Sequence, residues 1–294
     1  MTSGDKQVRP RLVDAHVHHW DPANLRWYPH LAPDFDVSAL GVTEADGMKR
    51  RYLLDEYLAD ATPWNLDKYV HVNATSGPKA YLAEAEWLAG LGGPLAAVIG
   101  TVDLEQEPAA ALADLTAQAG SPLFRGIRTM HIPDYDSPTL EATLRFLAER
   151  GLVYDFVVHP ASMPEAAEVV RRHRDLTVVI EHAGWPTSTD DAERARWRDG
   201  MRALADAHEG VACKLSGIAM ATHTLDLDAV HPWFDEVLAT FGTGRCLVGS
   251  NFPVDGVFGS FDQLMGIYLA VVDAHGDAAV EAVFAANAER IYGI

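Results

Sequence analysis

The chain has 294 residues, 48% hydrophobic and 22% charged, enough to bury a large core and too apolar for general disorder. Against 23 Lys and Arg stand 42 Asp and Glu, a net charge of -19, which is the wrong sign for gripping phosphates or anionic membranes and argues against nucleic-acid or membrane partners. Cys213 and Cys246 lie in apolar runs without CxxC spacing and read as core residues, so no disulfide framework or zinc knuckle is indicated.

Residues 1–7 lack the apolar stretch of a signal peptide, and no run approaches the roughly 20 residues needed to span a bilayer, so a cytoplasmic protein is expected. The first strand-like run, 12–17, is Leu12-Val13-Asp14-Ala15-His16-Val17, followed by His18-His19-Trp20. Residues two apart in a strand share a face, so His16 and His18 project together, and paired imidazoles suit a divalent metal. The segment 19–68 is rich in aromatics, Trp20 and Tyr28 among them, and contains Gly41 and Gly47. It reads either as a lid or substrate wall or as a packing excursion along the edge of the fold.

From there strand-like runs alternate with helical periodicity. Run 69–74 precedes helix 78–91, 96–102 precedes 107–119, and 125–131 precedes 137–150. The pairs 152–158 with 164–174, 176–181 with 190–208, 211–216 with 231–241 and 245–250 with 260–275 continue the pattern. Pro138, Pro164 and Pro232 are placed in first helical turns, and Gly151, Gly210 and Gly276 after helix ends. Eight βα units in one chain of this length predict a single-domain α/β fold over 1–294, a (β/α)8 TIM barrel, since a doubly wound sheet normally stops at five to seven strands.

Such a barrel carries its chemistry at the C-terminal ends of its strands, and here those ends are polar. Strand 1 closes with His16 and His18, strand 2 with His71 and Asn73, strand 3 with Asp103, and strand 4 with Arg128 and His131 after an opening Arg125. Asp155 and His159 close strand 5, Glu181 and His182 strand 6, Lys214 and Ser216 strand 7, and Ser250, Asn251 and Asp255 strand 8. Arg125 and Arg128, three apart, face opposite ways, so at most one enters the pocket. Arg128 is the better placed to grip a carboxylate or carbonyl, its alternative being an ion pair with Asp103 or Asp155. Lys214 and Ser216 share a face, and an interior lysine is costly unless paired.

Leu12 to Trp20 resembles the DAHxHxW opening of the amidohydrolase-related TIM-barrel hydrolases, and Tyr28-Pro29 the tyrosine-proline of their lactonase branch. The stretches Phe124–Arg128, Val179–Gly184, Lys214–Gly217, Gly249–Asp255 and Asn287–Tyr292 fit the same family in order and spacing along the whole chain. The resemblance implies a hydrolase that opens a sugar-derived or carboxylated cyclic ester, in the company of fuconolactonases and pyrone-dicarboxylate lactonases. It implies a small-molecule substrate and either one zinc or manganese ion or metal-free chemistry. His16, His18 and His182 are the metal candidates, joined by His159 or Asp255. Where metal-using relatives end strand 8 in an Asp, this chain has Asn251, which cannot act as a base, so Asp255 or a neutral His is expected to take the proton. Strand 4 lacks the lysine that a carbamylated bridge needs, which argues against a two-metal centre. Arg128, His159, Lys214, Trp20, Tyr28 and Asn73 are the substrate-binding candidates. A zinc-dependent decarboxylase of the same group is the alternative, with Asn251 against it; a non-catalytic ligand-binding barrel is a third reading. Oligomeric state, a homo-oligomer included, stays open.

Overall fold

In the computed structural model, which describes residues 9–38, 41–42 and 45–294, the apolar runs become eight parallel strands neighbouring one another in chain order. Residues 1–7, read above for targeting, lie outside the described residues. The strands are β1 Arg11–Val17, β2 Asn65–Val72, β3 Leu95–Gly100, β4 Phe124–Thr129, β5 Val153–Phe156, β6 Thr177–Ile180, β7 Val211–Leu215 and β8 Cys246–Val248. Between β1 and β2 lie α1 Ala45–Met48 and α2 Leu54–Ala61. The later connections carry α3 Ala80–Ala89, α4 Pro108–Gln118, α5 Pro138–Glu149, α6 Met163–Arg172, α7 Asp191–Ala205, α8 Ala219–Thr222 with α9 Leu227–Phe241, and finally α10 Phe261–Asp273. After α10 the chain forms α11 Asp277–Glu281, a π-helical turn Ala282–Ala286 and α12 Asn287–Tyr292. This is the (β/α)8 barrel. No helix among the described residues is long and apolar enough to cross a membrane.

Most strands stop one or two residues short of the end of the run that announces them, at Gly100, Thr129, Phe156 and Val248 for example. β2 begins four residues before its run, since the half-exposed stretch Asn65–Lys68 pairs with β1 without looking apolar. Pro232 is not in a first turn. The Asp226 side chain accepts from Asp228 N and Ala229 N, starts α9 a turn earlier than expected, and leaves the proline inside the helix. Similarly, α7 ends at Ala205, short of His208.

Two features position the site. First, β8 is only three residues long, so the seam between β8 and β1 is closed by a parallel bridge at Val17 and Phe252, by His18 N donating to Phe252 O (2.9 Å) and by Asn251 N donating to His16 O (2.8 Å). The buried Asp14 carboxylate replaces a further ladder bond by accepting from Ser250 N at 2.8 Å. Second, Val13 and Ala15 join the interior cluster with Val70, Ala97, Val153, Val179, Ala212 and Leu247, yet β1 shifts register against β2 between Asp14 and Val17. Beyond that irregularity His16 and His18 turn toward β6, β7 and the end of β2. The opposite mouth is stopped by Ala285, Ala288 and Tyr292, whose segment is tied to Arg11 at the foot of β1 through Glu281 and Glu289.

Candidate active site

At the C-terminal ends of the strands His16, Glu181 and His182 each offer a ligand atom within 4.8 Å of the other two, the only such His/Cys/Asp/Glu group among the described residues. All three are buried. Two imidazole nitrogens and a carboxylate oxygen suit a divalent ion with an open position for water or substrate, so the residues fit a metal. His18 lies outside that group but faces it, its Nε2 3.1 Å from Nε2 of His16. Its Nδ1 is 2.8 Å from Val72 O, and since a carbonyl only accepts, the proton sits on Nδ1 and the lone pair on Nε2. His182 is steadied by Ser216 Oγ at 3.0 Å from its Nδ1. Burial first, then the neighbouring cations, hold all three imidazoles well below the usual histidine range, leaving them neutral.

Cations brace this cluster from two sides. Lys214, wholly buried on β7, pairs with Asp155 on β5 and stands 3.4 Å from His16 Nδ1 and 3.9 Å from Glu181 Oε1. Asp155 also accepts from the Tyr292 hydroxyl at 2.9 and 3.2 Å. Arg128 donates to Asn73 O at 2.5 Å and reaches Glu181 Oε2 at 3.5 Å. Its ion-pair partner is therefore Glu181 and not Asp103 or Asp155. Arg125 is turned away, bonded to the Pro122 and Phe124 carbonyls.

On the β8 side Asn251 adopts φ +54, a left-handed conformation that asparagine tolerates, and its amide donates to Asp255 Oδ1 at 3.0 Å. Asp255 begins the short turn Asp255–Val257, off the strand tip as expected. Burial pushes its carboxyl up to about 7, against the bonds from Asn251 and the Gly217 backbone. Its Oδ2 is buried with no partner among the described residues. Gly217 joins this acid to the imidazoles: a Cβ there would lie 2.4 Å from His182 Nδ1, so only glycine lets the ring sit where it does. Gly249 plays the same part for His16, whose Cβ would be 2.6 Å from an added methyl.

The other residues singled out in the sequence are distributed as follows. Trp20 stacks on His18 with centroids 5.8 Å apart and planes at 9°. Tyr28 is buried edge-on against His30 at 6.2 Å. Asn73 turns its amide to Glu84 on α3 (2.7 Å) and to Thr75 (2.9 Å), so Arg128 meets its backbone carbonyl and the side chain serves the helix. His159, half-buried, has its Nδ1 3.1 Å from Trp185 O and braces the loop around Trp185, whose ring lies edge-on to His182 at 5.0 Å. His71 faces away from the barrel interior, where its Nε2 accepts from His19 N at 3.1 Å. Cys213 and Cys246 are buried free thiols. The sequence places Glu181 at a strand end and assigns it no role. Its signal was its place directly before His182, where a strand leaving the ladder turns both side chains inward.

The chain is similar to proteins whose activity or ligand is known. An L-fucono-1,5-lactonase of Burkholderia ambifaria is 36% identical over 68% of this chain and 71% of its own length. An L-fucono-1,5-lactonase of Burkholderia multivorans is 28% identical over 96% of each. The crystal structure of an amidohydrolase from Burkholderia multivorans with bound zinc superposes with a TM-score of 0.82 at 26% identity, covering 97% of this chain and all of that one. The amidohydrolase family model matches residues 13–294, so the barrel, the histidine pair at the tip of β1 and the glutamate–histidine pair after β6 belong to a member of the amidohydrolase family.

Proposed function

We propose that this chain is a lactonase that hydrolyses a sugar-derived or carboxylated cyclic ester. The observation that carries the reading is the buried Asp255, one oxygen of which has no partner among the described residues, joined through Gly217 to the neutral imidazole cluster of His16, His18 and His182. The fuconolactonase relatives, similar over most of the chain, support the same chemistry and a small-molecule substrate. A zinc or manganese ion held by His16, Glu181 and His182, with His18 alongside, would supply a Lewis acid for the lactone carbonyl.

The chain's own groups do the rest. Asp255, with its carboxyl near neutrality, accepts a proton from the attacking water as the acyl carbon becomes tetrahedral, and returns it to the ring oxygen when the acyl–oxygen bond breaks. Arg128, held beside Glu181, sets positive charge next to the cluster before the reaction begins, so the developing oxyanion meets it without reorganisation. Asn251 orients the acid and takes no proton itself. Trp20 and Trp185 wall the cluster through His18 and His182. None of His16, His18, His182 and Asp255 is more than 3% exposed, so admission of a substrate displaces part of that wall. A panel of sugar 1,5-lactones and pyrone dicarboxylates, followed by acid release, tests the proposal. Hydrolysis of a panel member, lost in His182→Ala, is expected. A folded wild-type protein inert on every compound sinks it.

A further inference from the structure

The group that fits a metal already holds two cations of its own. Glu181 supplies the one negative charge among His16, Glu181 and His182, and both of its oxygens face a fixed positive group: Lys214 Nζ lies 3.9 Å from Oε1 and Arg128 Nη1 3.5 Å from Oε2. Neither can swing away. Lys214 is wholly buried, paired with Asp155, and its Nζ sits 5.6 Å from the centre of the Tyr292 ring, while the Tyr292 hydroxyl bonds both oxygens of that same Asp155. Arg128 is fastened to Asn73 O, and Asn73 in turn to the buried Glu84. A further pull acts on His16: the ammonium can only donate to its Nδ1, 3.4 Å away, which directs the ring proton to Nε2 in the metal-free protein.

We propose that Lys214, clamped by Asp155 and by Tyr292 of the C-terminal helix, is a built-in competitor of the metal ion, and that together with Arg128 it sets a weak, exchangeable affinity at this site. A divalent ion sharing Glu181 with two immobile cations in a dry pocket is repelled by both, and the repulsion is not screened as it would be at a surface. The same pair of cations holds the carboxylate in place from both sides. Tyr292 is a positioning residue in this arrangement, acting through Asp155. The inference rests on the assignment of His16, Glu181 and His182 as the metal-holding group, and it is independent of which ester the protein hydrolyses.

The test is a zinc titration of metal-stripped full-length protein against a chromophoric chelator, with near-ultraviolet circular dichroism as the check on folding. Lys214→Met and Arg128→Met are each expected to bind zinc at least tenfold more tightly than wild type. A merely structural role for either cation predicts the opposite sign, since damage to a site weakens it. Should Lys214→Met not fold, with Asp155 left unpaired in the core, Arg128→Met decides alone. Zinc affinity unchanged or lowered in a folded variant, or no zinc bound by wild type and variants alike, overturns the proposal. Because no lactone enters the measurement, failure of the lactonase reading leaves this result standing, and the reverse also holds.

Discussion

Asp14 and Asp255 lie on either side of the seam where β1 meets the end of β8, both wholly buried, both with carboxyls raised by burial, to about 6 and about 7. Their hydrogen bonds differ. Asp14 accepts from Ser250 N at 2.8 Å and His16 N at 3.2 Å on one oxygen and from the Tyr57 hydroxyl at 3.1 Å on the other, so its capacity is spent on holding the barrel shut. Asp255 accepts from Asn251 on Oδ1, has the Gly217 backbone beside it, and its Oδ2 meets no hydrogen-bond partner among the described residues. Burial and a raised carboxyl are thus shared by a structural acid and a catalytic candidate, and what separates them is the unspent oxygen.

The comparison can be broken most sharply by Asp255→Asn. Removal of a general base costs about 10²–10⁴ in rate, so kcat/KM should fall by that order while the melting temperature holds or rises. A variant that keeps wild-type activity ends the assignment. Asp14→Ala should do the reverse. It strands two backbone donors and a tyrosine hydroxyl in the seam, at about 1–3 kcal/mol for each donor that finds no water, read as a lower urea midpoint; unchanged stability refutes the structural role. The finest test is pH. If Asp255 is the base, kcat/KM climbs with one proton's slope as pH rises through about 7, and the limb vanishes in Asp255→Asn. Stability runs the other way. Both carboxyls titrate higher in the folded chain than in the unfolded one, so their contribution is present in full below about 4 and is lost as pH rises through about 6 and 7. Replacing Asp255 with asparagine should flatten the upper part of that decline.

The barrel was legible in the sequence because most strands carry a short apolar run and several helices open on a cap or proline, as Ser137 and Pro138 do for α5. The histidines of the site were legible because they stand at the ends of those runs. What escaped was anything set by side-chain direction or by distant partners. Asn73 looks like a pocket residue from its place at the end of β2, but Glu84, eleven positions on, claims its amide. Lys214 looks like a substrate ligand until Asp155 and Tyr292 are found beneath it. The Asp14 of the DAHxHxW stretch sits among candidate ligands and serves the seam instead. Gly217 and Gly249 belonged to matched motifs, yet the reason for each is an imidazole from another strand, which no local pattern displays.

The seam has a kinetic consequence. Asp14 and Ser250 are 236 residues apart in sequence, and their bond helps close the cylinder, so it belongs with the long-range contacts that carry a large loop-closure entropy. His16 hangs from one side of that joint and Asn251 from the other, each bonded to the other's backbone. A partly folded chain lacking the last strand therefore carries no fraction of the activity, and catalytic turnover becomes a reporter of complete closure. In native-state hydrogen exchange the amides of His18 and Asn251 should open together, and their shared opening would measure how often the working protein breathes at its own active site.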